Sequence, residues 1–314
     1  MTSAPVPGFA EALTSPDAPL VLDGGLTVPL EAVGHDLTGA LWSARLLADR
    51  PDAVVAAHLA YFRAGARVAT TATYQATFEG FARRGIGHDR AAGLLALGVE
   101  LGREAARRAG ARAPGRPLWV AASAGPYGAM LADGSEYRGR YGLGVAELER
   151  FHRPRLEVLA AARPDVLALE TVPDAVEARA LVRAVRGLGV PAWLSYSVAG
   201  GATRAGQPLE EAFAVVAGSE EIVAVGVNCC APADADRAVA VAARVTGKPV
   251  VVYPNSGEAW DAGTRAWRGS PAFTAARVDG WVRAGARLVG GCCRVGPDRI
   301  GEVARLVEGR GPDR

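Results

Sequence analysis

The chain of 314 residues has little net charge, no long apolar run and no leader-like start. Its 35 Lys and Arg residues nearly balance 33 Asp and Glu residues, which leaves a net charge of +2. Such a balance does not favour nucleic acid or a membrane surface as a partner. No apolar run reaches the roughly 20 residues that span a membrane, and the start, MTSAPVPGFAEAL, lacks the pattern of a signal peptide. We therefore expect a cytoplasmic protein with small-molecule partners.

Cysteine is scarce and unevenly placed. The chain has four, and all lie in two adjacent pairs, Cys229-Cys230 and Cys292-Cys293, each at the end of a short apolar run. Two buried strands that end near each other would bring these thiols to one point. Thiolates favour zinc over magnesium or calcium. Structural zinc sites usually take their ligands from closely spaced Cys-x-x-Cys motifs. Two pairs this far apart in sequence are more typical of an open catalytic site.

Two other interpretations of the cysteines stay open. A buried cysteine is often a small hydrophobic residue with no further role. A disulfide can link one pair to the other in an oxidising compartment, although one within an adjacent pair would be strained, because neighbours on a strand point to opposite faces. We favour the metal site, since the chain places no cysteine anywhere else and thiols stay reduced in the cytoplasm.

Short apolar runs alternate with Ala-, Leu- and Arg-rich stretches of helical period. The runs predict eight strands: Leu20–Leu22, Arg67–Thr71, Leu118–Ala122, Val166–Leu169, Ala192–Ser197, Ile222–Val227, Val250–Tyr253 and Leu288–Gly290. The stretches predict helices over Pro51–Ala64, Asp89–Ala109, Val145–Ala162, Asp174–Leu188, Leu209–Ala217, Ala233–Val245, Pro271–Ala284 and Pro297–Leu306.

This alternation predicts a single (β/α)8 TIM barrel over residues 20–314, after a loose lead-in at residues 1–19. A doubly wound open sheet is the rival fold. It fits less well, because DGGLTVPLE after the first strand is not the glycine pattern of a dinucleotide-binding loop.

Polar residues follow several predicted strands, at the end of the barrel where active sites lie. Asp23 and Glu170 can bind an ammonium group, and Asn228 precedes the first cysteine pair. Trp42 and Tyr127 can wall a cationic ligand through cation–π contacts. The histidines lie away from the strand ends, which does not favour a hydrolase site built on histidine. We therefore take Asp23, Glu170, Asn228, Trp42 and Tyr127 as candidate substrate-binding residues.

Several stretches resemble one enzyme family: LDGG, LWSARLL, TATYQATFEGFARRG, GPYGAMLADGSEYRGRY, FHRPRLEVL, LALETVPD, GVNCC, VVYPNSGE and ARLVGGCCR. Together they are similar to the homocysteine S-methyltransferases, and most of all to the bacterial S-methylmethionine:homocysteine methyltransferases. The similarity runs from about Leu20 to the end of the chain.

The resemblance implies a (β/α)8 barrel in which Cys229, Cys292 and Cys293 hold zinc, with Cys230 a neighbour of the site. It further implies that Asp23 and Glu170 bind the amino group of homocysteine. Trp42, from the LWSA motif, is expected near the methyl-donor pocket.

The implied reaction is transfer of a methyl group from a sulfonium donor, S-methylmethionine or S-adenosylmethionine, to the zinc-bound thiolate of homocysteine, which forms methionine. The alternatives are a non-catalytic zinc-binding or redox-sensing barrel, and a related thiol methyltransferase that uses betaine. Betaine-using relatives carry a long C-terminal extension for oligomerisation, and this chain ends soon after its last predicted helix. We therefore expect a monomer. The choice between sulfonium donors stays open.

Overall fold

Eight parallel strands follow one another around a closed sheet. In a computed structural model, which describes residues 8–15, 18–35, 37, 42–112, 115–261 and 266–309, these strands are β1 Leu20–Val21, β2 Val68–Thr70, β3 Trp119–Ala124, β4 Val166–Val172, β5 Ala192–Tyr196, β6 Ile222–Asn228, β7 Val250–Tyr253 and β8 Ala286–Val289. Their order is β1-β8-β7-β6-β5-β4-β3-β2. A parallel bridge from Leu22 to Val68 joins the two ends of this order. The predicted TIM barrel is confirmed.

Helices lie between the strands, as predicted. They are α1 Phe9–Thr14, α2 Thr27–Ala32, α3 Trp42–Asp49, α4 Pro51–Ala64, α5 Phe78–Ala82, α6 His88–Gly110, α7 Tyr127–Leu131, α8 Val145–Ala161, α9 Ala175–Ala184, α10 Leu209–Ala214, α11 Pro232–Thr246, α12 Ala275–Arg283 and α13 Pro297–Glu308. The eight predicted strands and eight predicted helices agree with elements of the structure to within a few residues, whereas α1, α2, α3, α5 and α7 were not predicted. Two short antiparallel hairpins after β5 and β7 were not predicted.

Local sequence explains where the crossover helices begin and end. Helix α4 begins with Pro51, whose missing N–H costs nothing in the first turn, and ends at Gly65 in the left-handed conformation (φ 112°). Helix α11 repeats the pattern with Pro232 and Gly247 (φ 63°). Each glycine reverses the chain, so that the next strand begins within a few residues.

The strands have two buried faces, which gives the barrel two apolar layers. One face packs against the surrounding helices and forms the larger core. The other fills the barrel interior, where residues include Leu22, Val68, Trp119, Trp193 and Val251. The interior is therefore a packed core, and its carboxyl end is where barrels of this kind form their active sites.

The N-terminal helix α1 closes the other end of the barrel. Phe9 is 3% exposed, and its ring lies 6.2 Å from the Trp119 ring and 6.1 Å from the Trp193 ring. Arg287 Nε donates a hydrogen bond to the Leu13 carbonyl (3.2 Å). A loose lead-in was therefore the wrong expectation for residues 9–14. These residues pack because Phe9, Ala12 and Leu13 are apolar and bury against the interior cluster that contains Trp119 and Trp193. Helix α1 thus acts as an apolar plug.

No helix in the described ranges combines the length and apolarity needed to cross a membrane.

We predict that Phe9→Ala lowers the free energy of unfolding by about 3–5 kcal/mol, because it removes a buried ring and leaves a cavity. Urea unfolding measures the change. Phe78→Ala is the control, since Phe78 is only partly buried and stacks on His88 at 4.3 Å. An equal loss in both variants would contradict the assignment of α1 as a plug.

Candidate active site

The carboxyl ends of the strands surround a cavity of about 270 Å³. Its lining comes from loops after several different strands, which the closed sheet brings to one place. The chemically active lining residues are Asp23, Tyr74, Gln75, Glu136, Tyr137, Glu170, Cys229, Tyr253, Cys292 and Cys293.

Three cysteines converge on one side of this cavity. The sulfur atoms of Cys229, Cys292 and Cys293 all lie within 4.8 Å of one another, and those of Cys229 and Cys293 are 3.6 Å apart. In tetrahedral zinc sites the Zn–S distance of about 2.3 Å places sulfur atoms roughly 3.8 Å apart. The cluster therefore has the donor atoms and the spacing for a metal. Cys230 is fully buried in the core between strands and helices, outside the cluster.

Backbone contacts place the three sulfurs. Cys229 has a left-handed backbone (φ 48°), which is uncommon for a residue with a side chain. Its N–H donates to the Tyr253 carbonyl (3.3 Å). The Cys292 N–H donates to the Pro254 carbonyl (2.8 Å), and the Cys293 N–H donates to Asn255 Oδ1 (3.1 Å). The end of β7, which lies between β6 and β8, thus anchors both cysteine loops.

The glycines before the second pair allow the loop to approach β1. A Cβ on Gly290 would lie 2.4 Å from the Leu22 Cβ and 2.7 Å from the Asp23 carbonyl oxygen. Real Cβ atoms do not come that close, so a larger residue would push the cysteine loop outward. In the G-G-C-C sequence, the glycines thus allow the close packing of the loop, and the cysteines supply the thiols.

The three thiols cannot all ionise without a cation. Hydrogen bonds from Cys229 and Cys292 lower the pKa of Cys293, whereas the hydrogen bond with Cys229 raises the pKa of Cys292. The protein alone thus favours one thiolate over the others. A bound metal would compensate the charge of all three.

Asp23 lies at the end of β1 and is 3% exposed. Its Oδ2 accepts a hydrogen bond from the Thr70 N–H (2.7 Å), and its Oδ1 accepts one from the Thr70 hydroxyl (2.9 Å). Burial outweighs these bonds and raises the pKa of Asp23 to about 8.

Glu170 lies in β4 and is 6% exposed. It accepts a hydrogen bond from the Ser123 hydroxyl. Burial raises the pKa of Glu170 to about 7, against the opposing effect of hydrogen bonds from Ser123 and Tyr253. Within the described part of the chain, neither Glu170 nor Asp23 has an ion pair. Two buried carboxyl groups without a cation suit a positively charged ligand.

Asn228 is fully buried and supports the site from behind the cavity. Its Oδ1 accepts from the Thr171 N–H (2.7 Å) and the Ser195 hydroxyl (2.8 Å), and its Nδ2 donates to the Thr171 hydroxyl (2.7 Å). Thr171 has a left-handed backbone (φ 60°). Asn228 thus holds the residue after Glu170 and precedes Cys229, but does not itself line the cavity.

Of the two aromatic candidates, the structure places only the side chain of Tyr127, and it lies away from the cavity. Tyr127 packs against Tyr141 and Phe151 and does not line the cavity. Trp42 begins helix α3, and its side chain lies outside the described part of the chain. The aromatic residues that line the described cavity are Tyr74, Tyr137 and Tyr253, and the Tyr137 hydroxyl lies 3.0 Å from the Cys229 sulfur.

A buried network anchors the loop that carries Tyr137. Arg155 donates to the Gly125 carbonyl, and Glu177 accepts from the Tyr127 N–H (2.6 Å). His152 Nε2 lies 2.9 Å from Glu177 Oε1. These three side chains sit on α8 and α9 and are at most 1% exposed. Sequence reasoning missed this network because it joins distant segments.

Comparisons with known proteins agree with the motifs. The homocysteine S-methyltransferase family model matches residues 20–307. The chain belongs to this family. It is 45% identical over 303 residues to homocysteine S-methyltransferase 4 of Zea mays, covering 91% of this chain and 89% of the relative. It is 43% identical over 287 residues to the homocysteine S-methyltransferase of Escherichia coli, covering 90% and 93% of the two chains.

Solved structures of the family have the same fold. The metallated form of the homocysteine methyltransferase MmuM from Escherichia coli superposes with a TM-score of 0.85 at 40% identity, covering 96% of this chain and 99% of that one. The oxidized form gives the same TM-score and identity. The fold and family predictions are confirmed, and the chain is an enzyme of this family.

We predict that Cys229→Ala, Cys292→Ala and Cys293→Ala each abolish metal retention, because each removes one of the three donor atoms of the cluster. Cys230→Ala is the matched control and should keep its zinc, since its sulfur is turned into the core. The test is the ratio of zinc to protein, measured by atomic absorption after gel filtration. Full retention in the Cys292→Ala variant would rule this ligand set out.

Proposed function

We propose that the protein is a zinc-dependent homocysteine S-methyltransferase that takes its methyl group from a sulfonium donor, such as S-methylmethionine. The observation that carries this proposal is the shared cavity. Three sulfur atoms within 4.8 Å of one another and two buried carboxyl groups line it together. A soft metal site beside an ammonium site fits an amino acid that carries a thiol.

The proposed zinc ligands are Cys229, Cys292 and Cys293. Among the described residues, the metal-compatible cluster contains these three and no fourth His, Cys, Asp or Glu. A site with three protein ligands is open to a substrate, whereas structural zinc sites are closed by four. This supports the catalytic interpretation over a non-catalytic zinc-binding barrel. Zinc bound here would lower the pKa of the homocysteine thiol and favour its ionised form at neutral pH.

Asp23 and Glu170 are proposed to bind the ammonium group of homocysteine. Both are held in place before the substrate arrives, Asp23 by Thr70 and Glu170 by Ser123. An ammonium group would supply the cation that the buried carboxyl groups lack. Its three N–H donors suit two carboxylates. The substrate sulfur would then be directed toward the cysteine side of the cavity.

In the proposed reaction the homocysteine sulfur forms a bond to the donor methyl carbon as the bond from that carbon to the sulfonium sulfur breaks. The thiol releases its proton to solvent before attack, and the donor leaves as a neutral thioether. With S-methylmethionine, both products are methionine. The residues contribute mainly by alignment, which reduces the entropic cost of bringing two substrates together.

Two other expectations, a monomer and a cytoplasmic location, stay predictions. The partners in this proposal are homocysteine and a sulfonium donor.

We predict that Asp23→Asn and Glu170→Gln each raise the KM for homocysteine about ten- to a hundredfold. Loss of a charge-assisted hydrogen bond costs roughly 1.5–3 kcal/mol. Zinc content should not change, which separates this effect from loss of the metal. Steady-state kinetics at saturating donor measure it. Unchanged kinetics in both variants would assign these residues to structure alone.

Acidic pH should weaken homocysteine binding. A carboxyl group is neutral below its pKa, and the neutral form does not attract an ammonium. Since the pKa values are about 8 for Asp23 and about 7 for Glu170, the KM should rise as pH falls through this range. In the Glu170→Gln variant the KM should rise less over the same pH range. Ionisation of the substrate thiol affects both enzymes equally, so comparing the two pH profiles removes its contribution. Equal pH profiles would contradict the role of Glu170.

The donor class is tested by comparing S-methylmethionine, S-adenosylmethionine and betaine at the same homocysteine concentration. We expect sulfonium donors to react far faster, because a neutral thioether is a better leaving group than a tertiary amine. Methionine formation measured by chromatography gives the rates. Betaine turnover equal to that of S-methylmethionine would overturn the sulfonium assignment and leave the homocysteine site in place.

A further inference from the structure

Two buried oxygen atoms, on residues that line the cavity, have no role in the site described so far. They are Glu136 Oε2 and Gln75 Oε1, and neither has a hydrogen-bond partner among the described residues. Buried polar atoms are nearly always paired, because an unpaired one loses its bonds to water without compensation. Two unpaired acceptors on residues of one cavity wall therefore favour a ligand that donates hydrogen bonds.

The loop around Glu136 is fixed before any ligand binds. Glu136 belongs to a short 3-10 helix, Ser135–Tyr137, whose first N–H donates to Asp133 Oδ1 (2.9 Å). A Cβ on Gly128 would lie 2.4 Å from the Glu136 nitrogen, so α7 packs directly against this turn. The backbone from which the Glu136 side chain extends is therefore fixed by packing and hydrogen bonding.

Glu136 also lies close to the reacting end of the cavity. The next residue, Tyr137, places its hydroxyl 3.0 Å from the Cys229 sulfur. Gln75 comes from a different loop, after β2, and follows Tyr74 in the cavity wall. Burial raises the pKa of Glu136, so a cationic ligand would stabilise its ionised form.

We propose that Glu136 and Gln75 bind the ammonium group of an amino-acid methyl donor. This inference rests on the proposed function, in which Asp23 and Glu170 bind the other amino acid, homocysteine. The donor is the remaining ligand of the cavity, and its ammonium group offers the N–H donors that the two oxygens lack.

The charge balance of the reaction favours the ammonium over the sulfonium as the partner of Glu136. The sulfonium loses its positive charge as the methyl group leaves, so a carboxylate in contact with it would stabilise the substrate more than the transition state. The ammonium keeps its charge throughout. A carboxylate that binds it contributes equally to both states, which lowers KM and leaves kcat unchanged.

The same contacts select between donors. S-methylmethionine and S-adenosylmethionine both carry a primary ammonium group. Betaine carries a quaternary nitrogen with no N–H, so it leaves both oxygens unpaired. A site with buried acceptors discriminates strongly against a ligand that cannot donate to them.

The test uses the holoenzyme with two sulfonium donors that differ only in the amino group. They are S-methylmethionine and its desamino analogue, (3-carboxypropyl)dimethylsulfonium. In Glu136→Gln we expect the KM for S-methylmethionine to rise about tenfold or more, with kcat within about twofold. Kinetic constants for the desamino donor and the KM for homocysteine should not change. Gln75→Leu should change the same constant, and the exposed Glu220→Gln variant is the control.

Four results would overturn the inference. A rise in the homocysteine KM at constant donor KM would assign Glu136 to the acceptor. Equal losses with both donors would show a structural role, as would loss of zinc. If the wild-type enzyme transfers no methyl group at all, the proposed function fails. Calorimetric binding of S-methylmethionine then decides the inference, and equal affinity in wild type and Glu136→Gln contradicts it.

Discussion

Closure of the parallel sheet is the constraint on which the site depends. Because the strands are parallel, they all end on the same rim. The bridge between Leu22 and Val68 makes neighbours of the first two strands and closes that rim into a ring. The cysteine pairs follow β6 and β8, which both pair with β7. Any opening between these strands would separate sulfurs that lie within 4.8 Å. At the far end, Phe9 and the two tryptophans that it packs against fill the barrel interior.

Two residues at this rim have unfavourable backbone conformations, which neighbouring side chains stabilise. Cys229 and Thr171 both have positive φ values, 48° and 60°, which cost of order 1–3 kcal/mol each. Asn228 makes two buried hydrogen bonds to Thr171, accepts a third from Ser195, and directly precedes Cys229 in the chain. One buried amide thus links the carboxylate strand to the thiol strand. These two backbone conformations occur at the points where Glu170 and Cys229 join the lining of the same cavity.

Charge is distributed differently inside and outside the cavity. Beneath the loop, Arg155, His152 and Glu177 form a buried network that contains both signs of charge. The cavity itself gathers thiols and carboxyl groups without an ion pair among its described acidic residues. Burial then disfavours their ionised forms, as the raised pKa values of Asp23 and Glu170 indicate. The site is therefore incomplete by itself, and cationic ligands would complete it.

The sequence by itself determined the strand and helix pattern, the barrel, the family and the candidate thiols and carboxylates. These features depend on local periodicity and on residues at strand ends, which the order of residues records directly. The plug at Phe9, the support by Asn228, the position of Tyr137 in place of Tyr127 and the unpaired oxygen of Glu136 were decided only by the tertiary structure. Each depends on contacts between segments far apart in the chain. Short motifs do not encode such distances, because they arise only when the closed sheet fixes where its loops meet.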